Sequence, residues 1–561
     1  MSTTAIPAVT SSGTPVLILK EGSNQSRGRD AQRNNIQAAM LIAEVVNTSI
    51  GPRGMDKMLV DSLGDVTITN DGATMLKEID VQHPAAKMLV EVSKATDNEV
   101  GDGTTSAVIL AGALLEKAQE LIDKGVHPTV IVEGYNKAAA KAIEVLETMA
   151  EKVPPTNKEW LIKIARTSMQ TKLVSREAQE LAEMVVTAAT QVAEKQGEGY
   201  KVDISNVKVE KKPGGSLTDT ALVRGVILDK EVVHSGMPRR IENAKIALVN
   251  TAFEIEKTEF DAKLNINDPS MMKKFLDEET RMLKAMVDKI IQVGANVLIC
   301  QKGIDDIAQH YLSKAGILAV RRAKESDMTS LAKATGARIA SNFEDLSEKD
   351  LGYAQLVEER KVENDKWVFV EGCKNPKAVT ILVRGGTQRI VDEAERSIHD
   401  ALMVSKDVIE KPAIVAGGGA PEAEVASQVL KWTEKLTGRE QLAAQRFAEA
   451  METIPVCLAT NAGLDPIDTM VEIRAKHAEG GKWFGVEVKE GLVKDMWKEQ
   501  VLEPLAVKEQ IIKSATEAAC MILRIDDVIA SGKSKMPSGP PGGGGMGGMG
   551  GMGGMGGGEF D

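Results

Sequence analysis

Aromatic residues are scarce in this chain. Tryptophan, tyrosine and phenylalanine make up 3% of its 561 residues, so any core must be built from aliphatic side chains and methionine. Cysteine is nearly absent too. Cys300, Cys373, Cys457 and Cys520 are the four present; they stand far apart, none forms a CxxC pair, and none has a histidine at metal-ligand spacing. That excludes a disulfide scaffold and a zinc ribbon, and predicts buried free thiols in a reducing compartment. No stretch reaches the roughly 18 consecutive apolar residues that a membrane span needs. "MSTTAIPAVTSSGTP" has no basic segment followed by an apolar one, so no secretory leader is expected. HExxH and GxSxG are missing, which removes support for zinc hydrolysis and acyl transfer. Positive charge is in short supply: 69 Lys and Arg stand against 81 Asp and Glu, a formal net charge of −12. This balance argues against a nucleic acid or an acidic membrane as partner. The expectation is a cytoplasmic protein.

What is present is ordinary for a globular chain: 43% hydrophobic and 27% charged residues, in a length that calls for roughly two to four domains. Residues 1–16, rich in Ser, Thr, Ala and Pro, read as a flexible arm. From Asp30 to about Ser49, Ile36, Ala39, Met40, Ala43 and Val46 recur at helical spacing. "VTITNDG", Val66 to Gly72, alternates like a short strand and ends in a turn. Helices follow to about Met149, and "EKVPPTNKE" marks a boundary. The middle of the chain changes character. Lys245 to Val249 reads as a strand, and a long helix runs from Asp268 or Ser270 to Val293. "NVLIC", "ILAV" and "ARIA" then alternate with short helices, which implies parallel strands joined by crossovers. "AVTILVRGGT" is another strand and turn, followed by a helix from about Arg389 to Val408. The glycine-dense tail, 533–561, is expected to be disordered.

Three glycine-lined turns carry the chemistry. The strongest is "GDGTTS". A glycine turn at a helix N-terminus presents free backbone N–H groups and the positive dipole end, which together bind phosphate, and Thr104, Thr105 and Ser106 add hydroxyl donors. The loop is no Walker motif, because Asp102 stands where a lysine is usual. A carboxylate cannot hold phosphate oxygens directly, but it can hold a Mg²⁺ ion that does. "TSIGPRGMDK" and "VAGGGAPEAE" are the other two turns. Asp and Glu are too many for composition to select a general base. Asp71 in "NDG" reads as a turn residue, and His399 as a surface or packing residue.

Together these stretches resemble the group II chaperonins of the TCP-1/cpn60 family, and among them the archaeal thermosomes. The resemblance runs from about Val16 to Gly532 and includes "TSIGPRGMDKMLVDSLGDVTITNDGATMLKEI", "NEVGDGTTSAVILAGALL", "LVRGGTQRIVDEAERSIHDAL" and "NAGLDPIDTM". It implies a multi-domain α and α/β fold. A mainly helical equatorial ATP-binding domain would span 17–152 and 411–532, and a small intermediate hinge domain 153–222 and 376–410. An inserted α/β apical domain would span 223–375, with a lid protrusion at about 250–285. It implies an ATPase that folds unfolded polypeptides inside a double ring of identical or paralogous subunits, eight or nine per ring, driven by ATP with Mg²⁺. Position by position, it implies Asp102 as the metal ligand and Gly103, Thr104, Thr105 and Ser106 as the phosphate run. Ile50, Gly51 and Pro52 match the first nucleotide loop, and Gly418 matches the glycine beside the nucleotide. Asp61 and Asp400 match the carboxylates that activate water, Lys172 a γ-phosphate sensor, and Glu503 a ribose contact. The protrusion offers Phe253, Ile255, Phe260, Leu264, Ile266, Met271 and Met272 as apolar residues for clients, with core packing of its own helices as the other reading for each of them.

Overall fold

The structure is a computed structural model, and it describes residues 7–9, 15–17, 24–197, 199–254, 269–373 and 378–530. The chain forms two compact units, one of residues 1–32 and 525–561 and one of residues 33–524. In the first, Pro7–Val9 pairs antiparallel with Pro15–Leu17, within the stretch expected to be a flexible arm, and Asn24–Arg27 pairs antiparallel with Asp527–Ala530. The tail expected to be disordered, 533–561, lies outside the described residues.

The helices, in chain order, are α1 (Gly28–Asn47), α2 (Gly72–Glu78), α3 (Pro84–Val100), α4 (Thr104–Asp123), α5 (Pro128–Met149), α6 (Lys158–Gln170), α7 (Ala178–Val192), α8 (Pro269–Gln292), α9 (Asp306–Lys314), α10 (Glu325–Thr335), α11 (Gln388–Glu410), α12 (Ala420–Thr433), α13 (Arg439–Met451), α14 (Thr453–Ala462), α15 (Pro466–Ala478) and α16 (Leu505–Leu523).

Within the larger unit, three stretches of chain gather around separate apolar cores. The first core draws on residues 36–149 and again on 415–523. It is built as the composition requires, from Ala, Val, Leu and Ile. Small residues let the helices approach closely: a Cβ added at Gly112 of α4 would come 2.4 Å from Ala43 of α1, and one at Gly134 of α5 would come 2.5 Å from Ala443 of α13. The few aromatics are placed with care. Tyr135 meets Phe447 edge to face at 5.8 Å and donates its hydroxyl to the Leu114 carbonyl at 2.8 Å, so its one polar atom is satisfied. The thiols are free, three of them buried and Cys373 half-buried, and burial pushes each up to about 11. They are therefore inert packing groups at neutral pH.

The second core takes residues 153–207 and 379–414, with Leu502. Here α7 and α11 cover the strand Val379–Gly385, which runs parallel to Val207–Pro213 and antiparallel to Ala221–Val223, and α6 packs on both helices. Trp160 at the start of α6 packs on Trp497, which stacks on Trp483 at 5.3 Å.

Residues 225–373 build a seven-stranded sheet. Arg240–Val249, Val297–Cys300 and Leu318–Val320 are parallel neighbours, and Ile339–Ala340 pairs parallel with the first of them, as the alternation of strands and helices implies. The sheet continues antiparallel through Gly352–Val362, Asp365–Cys373 and Gly225–Leu228. The long helix expected near Asp268 to Val293 is α8, and Leu283, Val287 and Ile290 on its inner face are buried. Phe253 is fully buried and stacks edge to face on Phe343 at 4.2 Å. Of the two readings open for Phe253, core packing and client contact, the structure shows core packing. Ile255, Phe260, Leu264 and Ile266 lie outside the described residues, as do the side chains of Met271 and Met272.

One buried group in the second core departs from the usual rule that buried polar atoms are paired. Asp407 on α11 is buried, and its Oδ2 finds no partner among the described residues. Burial, together with Glu410, Glu99 and Asp102 and against the pull of Lys406, raises its carboxyl to about 8. The native state thus holds a proton that the unfolded chain releases above its ordinary value of 3.8, so stability is lost as pH rises towards 8. Asp407→Asn, a neutral isostere, should match the wild type near pH 4. Its advantage should grow to roughly 1–3 kcal/mol by about pH 9, measured as denaturant midpoints across that range.

Candidate functional site

A cavity of about 410 Å³ opens in the larger unit, lined by the loop after α1, the starts of α2, α4 and α12, the end of α6, α11, and the strand Leu502–Pro504 ahead of α16. Local sequence places each wall. After α1, Ser49 donates to the Val46 carbonyl and Gly54 N–H to Gly51, closing the "IGPRG" turn. Asn461 holds the turn by donating to the carbonyls of Asn47 and Ile50, at 3.1 and 2.9 Å. Ile50, Gly51 and Pro52 line the cavity.

The floor is the start of α4. Gly103 is its N-cap, with φ +76°, a left-handed conformation that suits glycine. A Cβ there would also come 2.7 Å from Ile511. No side chain caps the helix, so the first-turn N–H groups keep their donors for a ligand. Asp102 accepts the Gly103 N–H at 2.7 Å through Oδ1, and no partner takes its Oδ2 among the described residues. Gly103, Thr104, Thr105 and Ser106 all line the cavity, as does Gly418 beside Gly419, the N-cap of α12, which likewise lacks a side-chain cap.

The start of α2 meets that of α4: a Cβ on Gly72 would come 2.5 Å from Thr105 Oγ1. This contact brings in Asp71. Its Oδ2 accepts the Thr74 N–H at 2.8 Å as the N-cap of α2, and its Oδ1 accepts the Thr104 hydroxyl at 3.2 Å. The reading of "NDG" as a turn is therefore half of the account, because the same carboxylate lines the cavity. The signal was an Asp-Gly pair at a helix start, but no spacing rule connects it to "GDGTTS".

Asp61 is elsewhere. It is exposed on the turn between the strands Lys57–Val60 and Val66–Thr69, where its Oδ1 accepts the N–H groups of Leu63 and Asp65 at 2.9 and 2.8 Å. It caps a hairpin turn and is not among the residues that line the cavity. The structure does not bring Asp61 to Asp400; the carboxylate it places in the cavity beside the start of α4 is Asp71.

Asp400 is buried on α11 and pairs with Lys172, just beyond the end of α6. Asn70 fixes that end by donating to the Thr171 carbonyl at 2.6 Å. Burial would lower the Lys172 ammonium, but attraction from Asp400, Asp102 and Asp71 overrides it and holds the group well above its ordinary value. Burial raises the Asp400 carboxyl to about 6, with Lys172 pulling it down and Asp71 and Asp102 pushing it up. Asp97 is raised by burial and by Asp71 and Asp102. His399 lies on the exposed side of α11, its Nδ1 3.9 Å from Asp400 Oδ1.

Glu503, which also lines the cavity, pairs with Lys508 at 2.6 Å, and Lys508 also holds Glu422 at 2.8 Å. Burial raises the Glu503 carboxyl against the pull of Lys508. Lys508 went unnoticed in the sequence because nothing in a helix pattern marks a buried lysine.

The donor chemistry fits a Mg²⁺ ion shared with phosphate. Four carboxylates, Asp71, Asp97, Asp102 and Asp400, influence one another around a single ammonium, and this negative excess calls for a cation. No group of three or more ligating side chains gathers among the described residues. The protein therefore offers no cage of its own, in keeping with an ion that takes one or two carboxylates and completes its shell with water and phosphate oxygens.

Comparison with known proteins agrees with this architecture. Residues 42–533 match the TCP-1/cpn60 chaperonin family. The chain is 58% identical over 528 residues to the thermosome subunit alpha of Archaeoglobus fulgidus, covering 94% of this chain and 97% of that one. It is 59% identical over 519 residues to a thermosome subunit of Methanopyrus kandleri, covering 92% and 95%. The solved open-state monomer of a group II chaperonin from Methanococcoides burtonii superposes with a TM-score of 0.58 at 46% identity, over 76% of this chain and 100% of that one. With the family matched across nearly the whole chain and the helical and α/β layers in place, the chain belongs to the TCP-1/cpn60 chaperonin family, as an archaeal group II chaperonin.

Proposed function

We propose that this chaperonin is an ATP-driven folding machine whose hydrolytic site is the cavity at the start of α4. The observation that carries the reading is the meeting of an uncapped helix N-terminus with an excess of carboxylates around Lys172. Free N–H groups suit phosphate oxygens, and the carboxylates suit a cation and a water.

The roles follow from the positions. The N–H and hydroxyl groups of Gly103 to Ser106 bind the phosphates, with Gly51 and Gly418 allowing close approach. Asp102 holds Mg²⁺, whose charge neutralises phosphate oxygens. Asp71 and Asp400 orient the attacking water, and Asp400, raised to about 6, is tuned to accept its proton near neutral pH. Lys172 pairs with Asp400. A γ-phosphate offers it a second anion, so binding loosens Asp400 for its role as base, and loss of that phosphate returns Lys172 to Asp400. Glu503, held by Lys508, takes the ribose.

The chain is proposed to divide into equatorial (17–152, 411–532), intermediate (153–222, 376–410) and apical (223–375) domains, with a protrusion at about 250–285. The first core, the second core and the sheet of residues 225–373 support this division. The relatives are named as subunits, and this chain is proposed to form two stacked rings of eight or nine identical or paralogous copies in the cytoplasm. An outward apolar row on the hairpin after α1 supports self-association: Met58, Val60 and Leu63 are 66, 62 and 86% exposed. Unfolded polypeptides are the clients. A scaffold that binds nucleotide only for assembly would have no use for the Asp71, Asp102 and Asp400 constellation.

Asp400→Asn should bind ATP as the wild type does, yet lose about 10²-fold or more in turnover and fail to refold a denatured client; full turnover would remove Asp400 from the mechanism. Asp71→Asn should show the same loss, whereas Asp61→Asn should hydrolyse ATP within about twofold of wild type, measured by phosphate release. In wild type, kcat/KM for ATP should fall as pH drops through about 6, where Asp400 takes up a proton, and stay level from there to about pH 8.

A further inference from the structure

Among the described residues, two of the four basic side chains that line the nucleotide cavity have no ion pair, and one of these two is partly buried. Lys172 is paired with Asp400, and Lys508 with Glu422 and Glu503. Lys489 is exposed at the rim. Arg166, on α6, lines the cavity, and its Nε is cut off from solvent without a hydrogen-bond partner; no ion pair holds its guanidinium among the described residues. The rim carboxylates are engaged elsewhere, since Glu490 pairs with Lys494 at 2.7 Å and Glu499 lies 3.8 Å from the same ammonium. Ser168, on the same helix and the same cavity, likewise keeps a buried hydroxyl without a partner. A guanidinium is charged at every accessible pH, and leaving it half-buried and unpaired costs free energy that a bound anion would recover.

The position along α6 selects which part of a ligand it meets. Lys172 marks the end of the cavity beside Asp400 and Asp102. Arg166 precedes it by six residues, of which the four up to Gln170, where α6 ends, rise about 6 Å along the helix axis. Its neighbour Thr167 accepts the Leu502 N–H at 3.3 Å, which ties that turn of α6 to the strand carrying Glu503. Arg166 is thus nearer the nucleoside end than the terminal phosphate.

We infer that Arg166 is a further nucleotide-binding residue, whose guanidinium donates to a non-transferred phosphate of the bound nucleotide. The inference rests on the ATP reading of the cavity. Because α6 packs in the second core while α4 and α12 pack in the first, this contact ties a nucleotide held by one core to a helix of the other. Nothing in the motifs around "KIARTSMQTK" marks Arg166. The signal is its lack of a partner in three dimensions.

The test is calorimetric titration of the assembled wild type and R166Q with ATP, ADP and adenosine, Mg²⁺ held constant. R166Q should bind ATP and ADP about tenfold more weakly, the scale of one charge-assisted hydrogen bond, and adenosine unchanged. KM for ATP should rise in proportion, with kcat within about twofold of wild type. Unchanged affinity for ATP and ADP in folded R166Q overturns the inference, as does a loss confined to ATP, which would move the contact to the terminal phosphate. R166M, which keeps the apolar stem, is read in the same way if R166Q fails to assemble. A wild type that binds no ATP sinks the reading of the cavity instead, so the two failures are distinguishable.

Discussion

The arrangement around Lys172 is a crowd of carboxylates held together by too few cations. Asp71, Asp102 and Asp400 act on one ammonium, and the first two add to the cost of ionising Asp400. Such a cluster would be a liability in a site with no ligand. In a site that receives a cation and a polyphosphate it is the useful state, because the incoming charges satisfy what the fold leaves open. The rest of the architecture keeps that cluster in place. Asp71 is fixed as a helix cap, Asp400 sits within α11, and Asn70 anchors the end of α6. Three elements from distant parts of the chain are therefore committed to one small volume.

That distribution explains what could be read in the sequence. The helices were legible from periodicity, and the parallel strands from their alternation with short helices, because both depend on local pattern. "GDGTTS" was legible as a glycine turn at a helix start because that turn is a contiguous object. Asp71 and Asp61 show where pattern stops. Both sit in Asp-containing turns of the same hairpin region, ten positions apart, and no local feature tells the cavity residue from the exposed one. The difference lies in the contact of Gly72 with Thr105, which carries one turn into the cavity and leaves the other in solvent. The pairings of Lys508 and the isolation of Arg166 were hidden for the same reason, since a partner or its absence is a property of packing.

The cores also show how a protein poor in aromatics reaches tight packing. Alanine and glycine at helix contacts let backbones close to short range, so dispersion between many small groups replaces the large area that a few aromatic rings would bury. The exceptions are informative. Three of the five tryptophans gather where α6 meets the segment around Trp483 and Trp497, beside the cavity rather than deep in a core.

The first core is assembled from chain segments separated by more than half the molecule: α4 packs on α16, which lies at the far end of the sequence. During synthesis, the apolar face of α4 must wait until several hundred further residues have left the ribosome before its partner arrives. Contacts of such long sequence separation form slowly and leave sticky surface uncovered meanwhile. A chain of this family thus leaves part of its own apolar core uncovered while it is being made.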